Sequence, residues 1–257
     1  MSLQVIFYQR VKRVFDVILS LIGILVASFL LIPVFFLVWI QDRSNPLYIA
    51  NRIGLDFKQF KMMKVRSMIK NAEITGIDST SDGDKRITQL GRFIRKFKID
   101  EITQLYNVIK GEMSIVGPRP NVKKEVGLYT SLEKKILTVL PGITDFSSIV
   151  FSDEGKILSG HKDPDLAYNQ LIRPIKSRLA ILYVEKCSLA VDAIIILLTF
   201  SNIFARTITL KILSRYLVKI GADRELAEIT LRNQELAPMA PPGSTSIVTS
   251  REISEIE

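Results

Sequence analysis

From Val17 to Ile40 the chain reads VILSLIGILVASFLLIPVFFLVWI, a stretch with no charged side chain. A helix needs roughly 20 apolar residues to cross a bilayer, so this stretch is long enough to be embedded in one. A helix that is apolar on every face belongs in lipid or deep in a large core. A chain of 257 residues offers one sizeable domain with appendages rather than such a core. A secretory signal has a shorter apolar region leading to small residues, whereas this one ends in Trp39-Ile40. A membrane-embedded N-terminal helix is therefore expected.

Its topology has two solutions. Arg10, Lys12 and Arg13 precede the stretch, and Arg43, Arg52, Lys58, Lys61, Lys64, Arg66 and Lys70 follow it. The positive-inside rule keeps both flanks cytoplasmic. A helix that bends and returns satisfies both, and Pro33 removes a backbone hydrogen bond where a bend is needed. A simple span with a proline kink, cytoplasmic on its more basic C-terminal side, is the alternative. Re-entry is the favoured reading.

The net charge of +9 favours anionic partners such as phosphates, nucleotides or lipid headgroups. Cys187 is the only cysteine and His161 the only histidine, which excludes an intramolecular disulfide framework, a cysteine zinc cluster and any multi-histidine mechanism. Acid–base or nucleophilic chemistry here falls to carboxylates.

Past the apolar stretch, Leu47 to Met63 reads as extended segments around Gly54, and Ile69 to Arg86 as a polar loop. Ile102, Leu105, Tyr106 and Ile109 recur at helical spacing with Lys110 and Gly111 at the end, which predicts a helix over 100–110. Pro141-Gly142 marks a turn. A helical pattern returns over 165–184. The apolar stretch 190–205 is short for a span, so it packs in the core or lies at the bilayer interface. Beyond Leu236 the prolines and serines predict disorder.

The chemistry concentrates between Leu90 and Pro120, LGRFIRKFKIDEITQLYNVIKGEMSIVGPRP. Asp100 and Glu101 stand side by side at the start of the predicted helix, with arginines on both flanks. A carboxylate nucleophile, a second carboxylate for a metal and cations for phosphate are the parts that phosphoryl transfer requires. Unpaired N–H groups and the macrodipole at a helix N-terminus favour a negative charge, so Asp100 is expected to stay ionised. An aspartate that merely caps the helix reads the same in isolation. Arg119 sits between Pro118 and Pro120, and a guanidinium on so stiff a turn suits a phosphate; a surface salt bridge is the plainer option. Arg92, Lys96 and Lys98 read as a solvated basic face or headgroup contacts.

These residues resemble the bacterial sugar transferases known as monotopic phosphoglycosyl transferases. The resemblance is carried by the Asp-Glu dyad, a helix of the form xxQLxNVxKGxMS and VGPRP. It extends to Lys12, Arg13, Phe15 and Asp16 upstream, Lys64 to Met68, Pro141 to Thr144, and Ser188 to Asp192, covering roughly residues 10–205. The resemblance implies transfer of a sugar 1-phosphate from a UDP-sugar to a polyprenyl phosphate, with undecaprenyl phosphate the expected form, giving a polyprenyl diphosphosugar and UMP. It implies that Asp100 forms a covalent phosphosugar intermediate and that Glu101 holds Mg2+. Arg95, five positions before Asp100, and Arg119 become phosphate ligands, with Lys64 and Arg66 at further matching positions. Lys12, Arg13, Ser28, Pro33 and Asp192 take structural or supporting roles, Asp192 as a buried partner for an arginine or as a catalytic group.

Three departures stand out. Ser28 is followed by Phe29 instead of the family's proline, Asn45-Pro46 replaces a Pro-Gly-Pro, and the chain reads PGITDFSSIVFSDE from Pro141 where many members read PGITGWAQVNGR. The last leaves sugar contacts in 145–160 open.

The expected fold is mainly α with some β. An embedded helix over 1–41 leads to a catalytic domain with amphipathic interfacial helices over 42–205, a helical extension over 206–236 and a disordered tail over 237–257. Expected surroundings are the cytoplasmic face of the bacterial inner membrane, with lipid as a partner. The oligomeric state is open, a homodimer included. A membrane-anchored binding protein without turnover is the rival reading. A nucleic-acid binder would show stacking platforms or a known module, and neither is present.

Overall fold

A computed structural model of the chain describes residues 3–75 and 79–250. Residues 76–78 of the expected polar loop and 251–257 of the expected tail lie outside the described residues. The fold is mainly helical, with two small two-stranded sheets.

The apolar stretch lies within one helix, α1 (Leu3–Asp42), which continues through Pro33. Among the described residues it is the one helix long and apolar enough to cross a membrane. One face of α1 rests on the rest of the protein at both ends. Near its start, Lys12 Nζ donates to Asp192 Oδ2 at 2.8 Å, and Asp16 accepts from Ser114 Oγ at 2.7 Å and the Ile115 amide at 3.1 Å. Toward its end, Leu31, Val34 and Val38 are buried with Val65, Ile94 and Ile99. The opposite face is apolar and exposed, including Ile18, Leu25, Phe29, Ile32 and Phe36. Ser28 Oγ donates to the carbonyl of Leu25, one turn back, on this exposed side.

β1 (Leu47–Ile53) and β2 (Gln59–Val65) form an antiparallel pair about Gly54, where extended segments were expected. Side chains alternate along a strand. Phe60 and Met62 therefore share one buried face of β2 and pack with Ala50, Val108 and Met113. Lys64 is next on that face.

α2 (Gln89–Lys96) starts at Thr88, whose hydroxyl accepts from the Gly91 amide as an N-cap. α3 (Gln104–Lys110) ends at Gly111 with φ +84, the left-handed C′ position expected for glycine. β3 (Ser114–Val116), α4 (Lys123–Gly127) and β4 (Gly142–Thr144) follow. β3 and β4 pair in parallel, Ser114 with Gly142 and Val116 with Thr144. Gly117 and Gly142 face each other so closely that a Cβ on Gly142 would lie 2.1 Å from the Gly117 amide nitrogen. This close approach accounts for the glycines of both VGPRP and PGIT, and Pro141-Gly142 therefore enters a strand as it turns.

The C-terminal half supplies the main core. α5 (Phe146–Val150), α6 (Glu154–Leu158) and α7 (Pro164–Ala167) are short. α7 runs through a π-helical turn, Tyr168–Ile172, into α8 (Arg173–Lys186). α9 (Leu189–Phe204), α10 (Arg206–Lys219) and α11 (Arg224–Thr230) complete the order. Ile175, Leu179, Ile195 and Leu213 are fully buried here. α9 buries Val191, Ile195 and Leu198 and exposes Leu197, Phe200, Ile203 and Phe204, so the apolar stretch is partly core and partly unpartnered surface. Residues 237–250 form no helix or strand. They run along the domain, with the Met239 amide donating to the Gln170 carbonyl and Thr130 Oγ1 to the Pro242 carbonyl.

Asp192 ties the halves of the chain together. It accepts from Lys12, from Tyr8 Oη at 2.9 Å and from Tyr183 Oη at 2.7 Å. Its charged partner is thus a lysine of α1. Asp192→Ala is expected to lower stability by about 3–5 kcal/mol, because it takes the acceptor from the largely buried Lys12 ammonium and from the Tyr8 phenol, while Tyr183 keeps only its bond to the Val116 carbonyl. Thermal denaturation in detergent measures this, and an unchanged melting temperature would show the cluster to be dispensable.

Candidate active site

The dyad lies in a 3-10 turn, Ile99–Glu101, entered through Lys98 in the left-handed region with φ 57. The expected α-helix begins only at Gln104, so Asp100 neither caps it nor sits at its positive end. Three side-chain links hold this turn against β2. Thr103 Oγ1 donates to the Met63 carbonyl at 3.1 Å, Asn107 Nδ2 donates to the Lys61 carbonyl at 2.7 Å, and Asn107 Oδ1 accepts from the Met63 amide at 2.9 Å. At its far end Arg13 donates to the carbonyls of Val108 and Ile109 at 2.5 and 2.7 Å, a cationic C-cap supplied by α1. Clamped at both ends, α3 presents the dyad to the inward face of β2, and that face carries Lys64.

Glu101 Oε1 is the shared point of the cluster. Arg119 Nη2 donates to it directly, and Lys64 Nζ lies 3.8 Å away. Burial would raise the Glu101 carboxyl, but the charges of Arg119, Lys98 and Lys64 outweigh it and hold the group well below the usual carboxylate range. The same contact raises the guanidinium of Arg119 above its ordinary value. Asp100 differs. Burial pushes its carboxyl up, Lys64 pulls it back, Glu101 adds to the rise, and Arg95 and Lys98 oppose it. On balance burial wins, and the Asp100 carboxyl lies above its ordinary value, against the expectation that a helix terminus keeps it charged.

Burial, then repulsion from Arg119, depresses Lys64 to about 8, against partial support from Glu101 and Asp100. The ammonium is therefore present below about 8 and lost above it. If Lys64 steadies a phosphate, activity falls as pH rises through that value, and Lys64→Met, already slow, lacks this limb. A pH–rate profile of both proteins checks this. Stability runs the other way: the unfolded chain keeps the proton to higher pH, so raising pH above about 8 favours the folded state through this group.

Asp100 opens into a cleft of ≈ 350 Å³. Among the described residues it is the one carboxylate in the wall, which also carries Arg52, Lys64, Arg66, Lys70, Arg86 and Arg95. Arg66 and Arg86 are among those already engaged. Arg66 makes a bidentate pair with Asp42 at the end of α1, both contacts at 2.6 Å, and Arg86 pairs with Asp84 at 2.7 Å. Arg66 thus anchors α1 while lining the cleft. The structure gathers Asp100, Glu101, Arg95, Lys64 and Arg119 at one place. It puts Lys12, Arg13 and Asp192 in the clamp that seats α1, and Pro33 within α1. Lys98 and Arg52 belong to the charge cluster as well. Lys98 read as part of a basic face because its left-handed backbone, which turns the chain into the dyad, leaves no trace in hydrophobic spacing.

The donor set fits magnesium. Mg2+ keeps several waters and takes one or two carboxylates with substrate phosphates. Glu101 and Asp100 are such a pair; among the described residues no group of three or more His, Cys, Asp or Glu side chains is placed to hold a metal, so substrate phosphates and water would complete the shell. Both cations on Glu101 meet Oε1, which leaves Oε2 for a hard cation.

Comparisons with known proteins converge on one family. Residues 7–206 match the family model described as Bacterial sugar transferase. An Aeromonas hydrophila UDP-N-acetylgalactosamine-undecaprenyl-phosphate N-acetylgalactosaminephosphotransferase is 34% identical over 150 residues, 56% of this chain and 34% of its own. A Bacillus subtilis putative undecaprenyl-phosphate N-acetylgalactosaminyl 1-phosphate transferase is 37% identical over 137 residues, 53% of this chain and 73% of its own. An undecaprenyl-phosphate glucose phosphotransferase of Komagataeibacter xylinus is 32% identical over 203 residues, 76% of this chain and 36% of its own. The chain thus spans about a third of the Aeromonas and Komagataeibacter proteins and most of the Bacillus one.

Proposed function

This chain belongs to the bacterial sugar transferase family, and from that premise we propose that it moves a sugar 1-phosphate from a UDP-sugar to a membrane polyprenyl phosphate. One observation carries the reading: among the described residues Asp100 is the one carboxylate lining a cleft that also carries six cations, beside a second carboxylate held by Arg119. A diphosphate seated on those cations meets the Asp100 carboxylate, whose charge Lys64, Arg95 and Lys98 support against burial.

Asp100 attacks the phosphorus that bears the sugar. The bond from that phosphorus to the oxygen of UMP breaks, UMP leaves, and the sugar phosphate remains on the carboxylate. A phosphate oxygen of the lipid then attacks the same phosphorus and the bond to Asp100 breaks. The products are a polyprenyl diphosphosugar and the free carboxylate. Lys64, Arg95 and Arg119 steady the phosphoryl oxygens as charge shifts between attacking and leaving groups. Glu101 would hold magnesium, which supplies further neutralisation of the diphosphate.

The membrane supplies the acceptor. Both ends of α1 rest on the same domain while its other face is apolar. That supports α1 dipping into one leaflet and returning, with the dyad at the cytoplasmic surface of the inner membrane where a lipid phosphate lies. Confinement to one plane also contributes to positioning. The product would begin a lipid-linked glycan.

UMP release by detergent-solubilised protein tests the reading, using magnesium, polyprenyl phosphate and a panel of UDP-sugars. Sustained release is expected with a subset of donors and only with lipid and magnesium present. Silence of folded protein across the panel would favour a binding protein.

A further inference from the structure

Arg119 has a second carboxylate in its field. Besides Glu101, Glu154 at the first residue of α6 acts electrostatically on Arg119, and Arg119 and Lys98 act on Glu154 in return. Glu154 is held firmly. Its Oε2 accepts from Lys176 Nζ at 2.5 Å, and Lys176 lies over the rings of Tyr168 at 5.2 Å and Phe151 at 5.9 Å. The π-helical turn Tyr168–Ile172 leads into the helix bearing Lys176, and such turns recur at functional sites. Arg119 and Lys176 also line one small, partly open pocket, which puts the two cations on a common wall.

The residue after Glu154, Gly155, is joined to the loop that borders the cleft. The Asp82 amide donates to the Gly155 carbonyl at 2.8 Å, and a Cβ on Gly155 would meet Asp82 Oδ1 at 2.3 Å, so a larger residue there would push the Asp82 side chain aside. Thr80 and Arg86, from the same loop as Asp82, line the cleft that holds Asp100. Glu154 itself stays open to solvent, its side chain 31% exposed, and its Oε1 accepts no hydrogen bond among the described residues. It lies in the segment that departs from the family pattern.

A carboxylate repels a diphosphate, so Glu154 adds nothing to the grip of the cations. Hydroxyl groups are the part of a nucleoside diphosphate sugar that a fixed carboxylate binds, through charge-assisted hydrogen bonds. We infer that Glu154 accepts hydrogen bonds from sugar hydroxyls of the donor and so helps to determine which donor is used. This rests on the proposed UDP-sugar reaction. The hydroxyls belong to the glycosyl group or to the ribose, and the experiment separates the two.

Glu154→Gln keeps an acceptor for Lys176 and removes the charge. Donor KM, kcat, the inhibition constant of UMP and the ranking of epimeric UDP-sugars are measured for both proteins with lipid and magnesium. A bound hydroxyl lost from a charged group is expected to raise KM about tenfold or more, with kcat changed less than about threefold. A rise in KM with unchanged UMP inhibition and a flattened donor ranking assigns the glycosyl hydroxyls. An equal weakening of UMP assigns the ribose. Unchanged KM, ranking and UMP inhibition in a variant that melts like the wild type overturns the inference alone. Silence of the wild type with every donor overturns the transferase reading, and this inference with it. If Glu154→Gln does not fold, Glu154→Asp, which keeps the charge and shortens its reach, is read by the same measurements.

Discussion

Replacing Asp100 by asparagine is expected to abolish turnover, lowering kcat at least roughly 10⁴-fold, the scale on which enzymes lose activity with their nucleophile. The amide nearly matches the carboxylate in shape, and among the described residues the hydrogen bond at Asp100 is to its backbone carbonyl, so the exchange orphans no partner of the side chain. Burial already opposes the charge of Asp100, so a neutral side chain is tolerated by the fold and the melting temperature should hold or rise. The prediction is thus a dead, stable protein. Lipid-linked product formed by Asp100→Asn at more than about a tenth of the wild-type rate would remove Asp100 from the chemistry.

Arg119→Ala should have the next largest effect, about 10²–10³-fold in kcat, the usual cost of removing a preorganised group that meets developing charge. Here the loss acts twice. The donor loses a guanidinium on a turn stiffened by two prolines, and Glu101 loses the partner that keeps it ionised despite burial. The Glu101 carboxyl should therefore titrate at higher pH in the variant, moving the acid limb of the pH–rate profile upward. Arg119→Lys keeps the charge without the planar fork and should fall between the two. A loss below about threefold for the alanine variant, with the acid limb in place, would count against both roles.

The legible parts of this molecule are those whose signals are local in sequence. The uncharged stretch from Val17 announces α1, the adjacent carboxylates announce the dyad, and Lys110-Gly111 announces the end of α3. The place of Lys64 is half legible, since it continues the alternation of Phe60 and Met62 onto the face that meets α3. The clamps are not legible, because they join residues far apart. Lys12 meets Asp192 across 180 positions, and Arg66 turns from the cleft to the end of α1. The expectation that a helix terminus charges Asp100 failed for a local reason with a tertiary cause. Thr103 and Asn107 tie the turn to β2, and the α-helix starts four residues late. The Glu154–Lys176 pair shows no pattern until α6 and α8 pack together.

The central claim is a covalent sugar phosphate on Asp100. The most direct measurement is intact and peptide mass spectrometry of the protein after mixing with an active UDP-sugar and magnesium in the absence of polyprenyl phosphate. The account predicts one added sugar phosphate per chain, on the peptide containing Asp100, with an equal burst of UMP. The adduct should be discharged by adding the lipid and absent from Asp100→Asn. Lipid-linked product made at full rate with no adduct at any time, or an adduct on another residue that the lipid discharges, would contradict it.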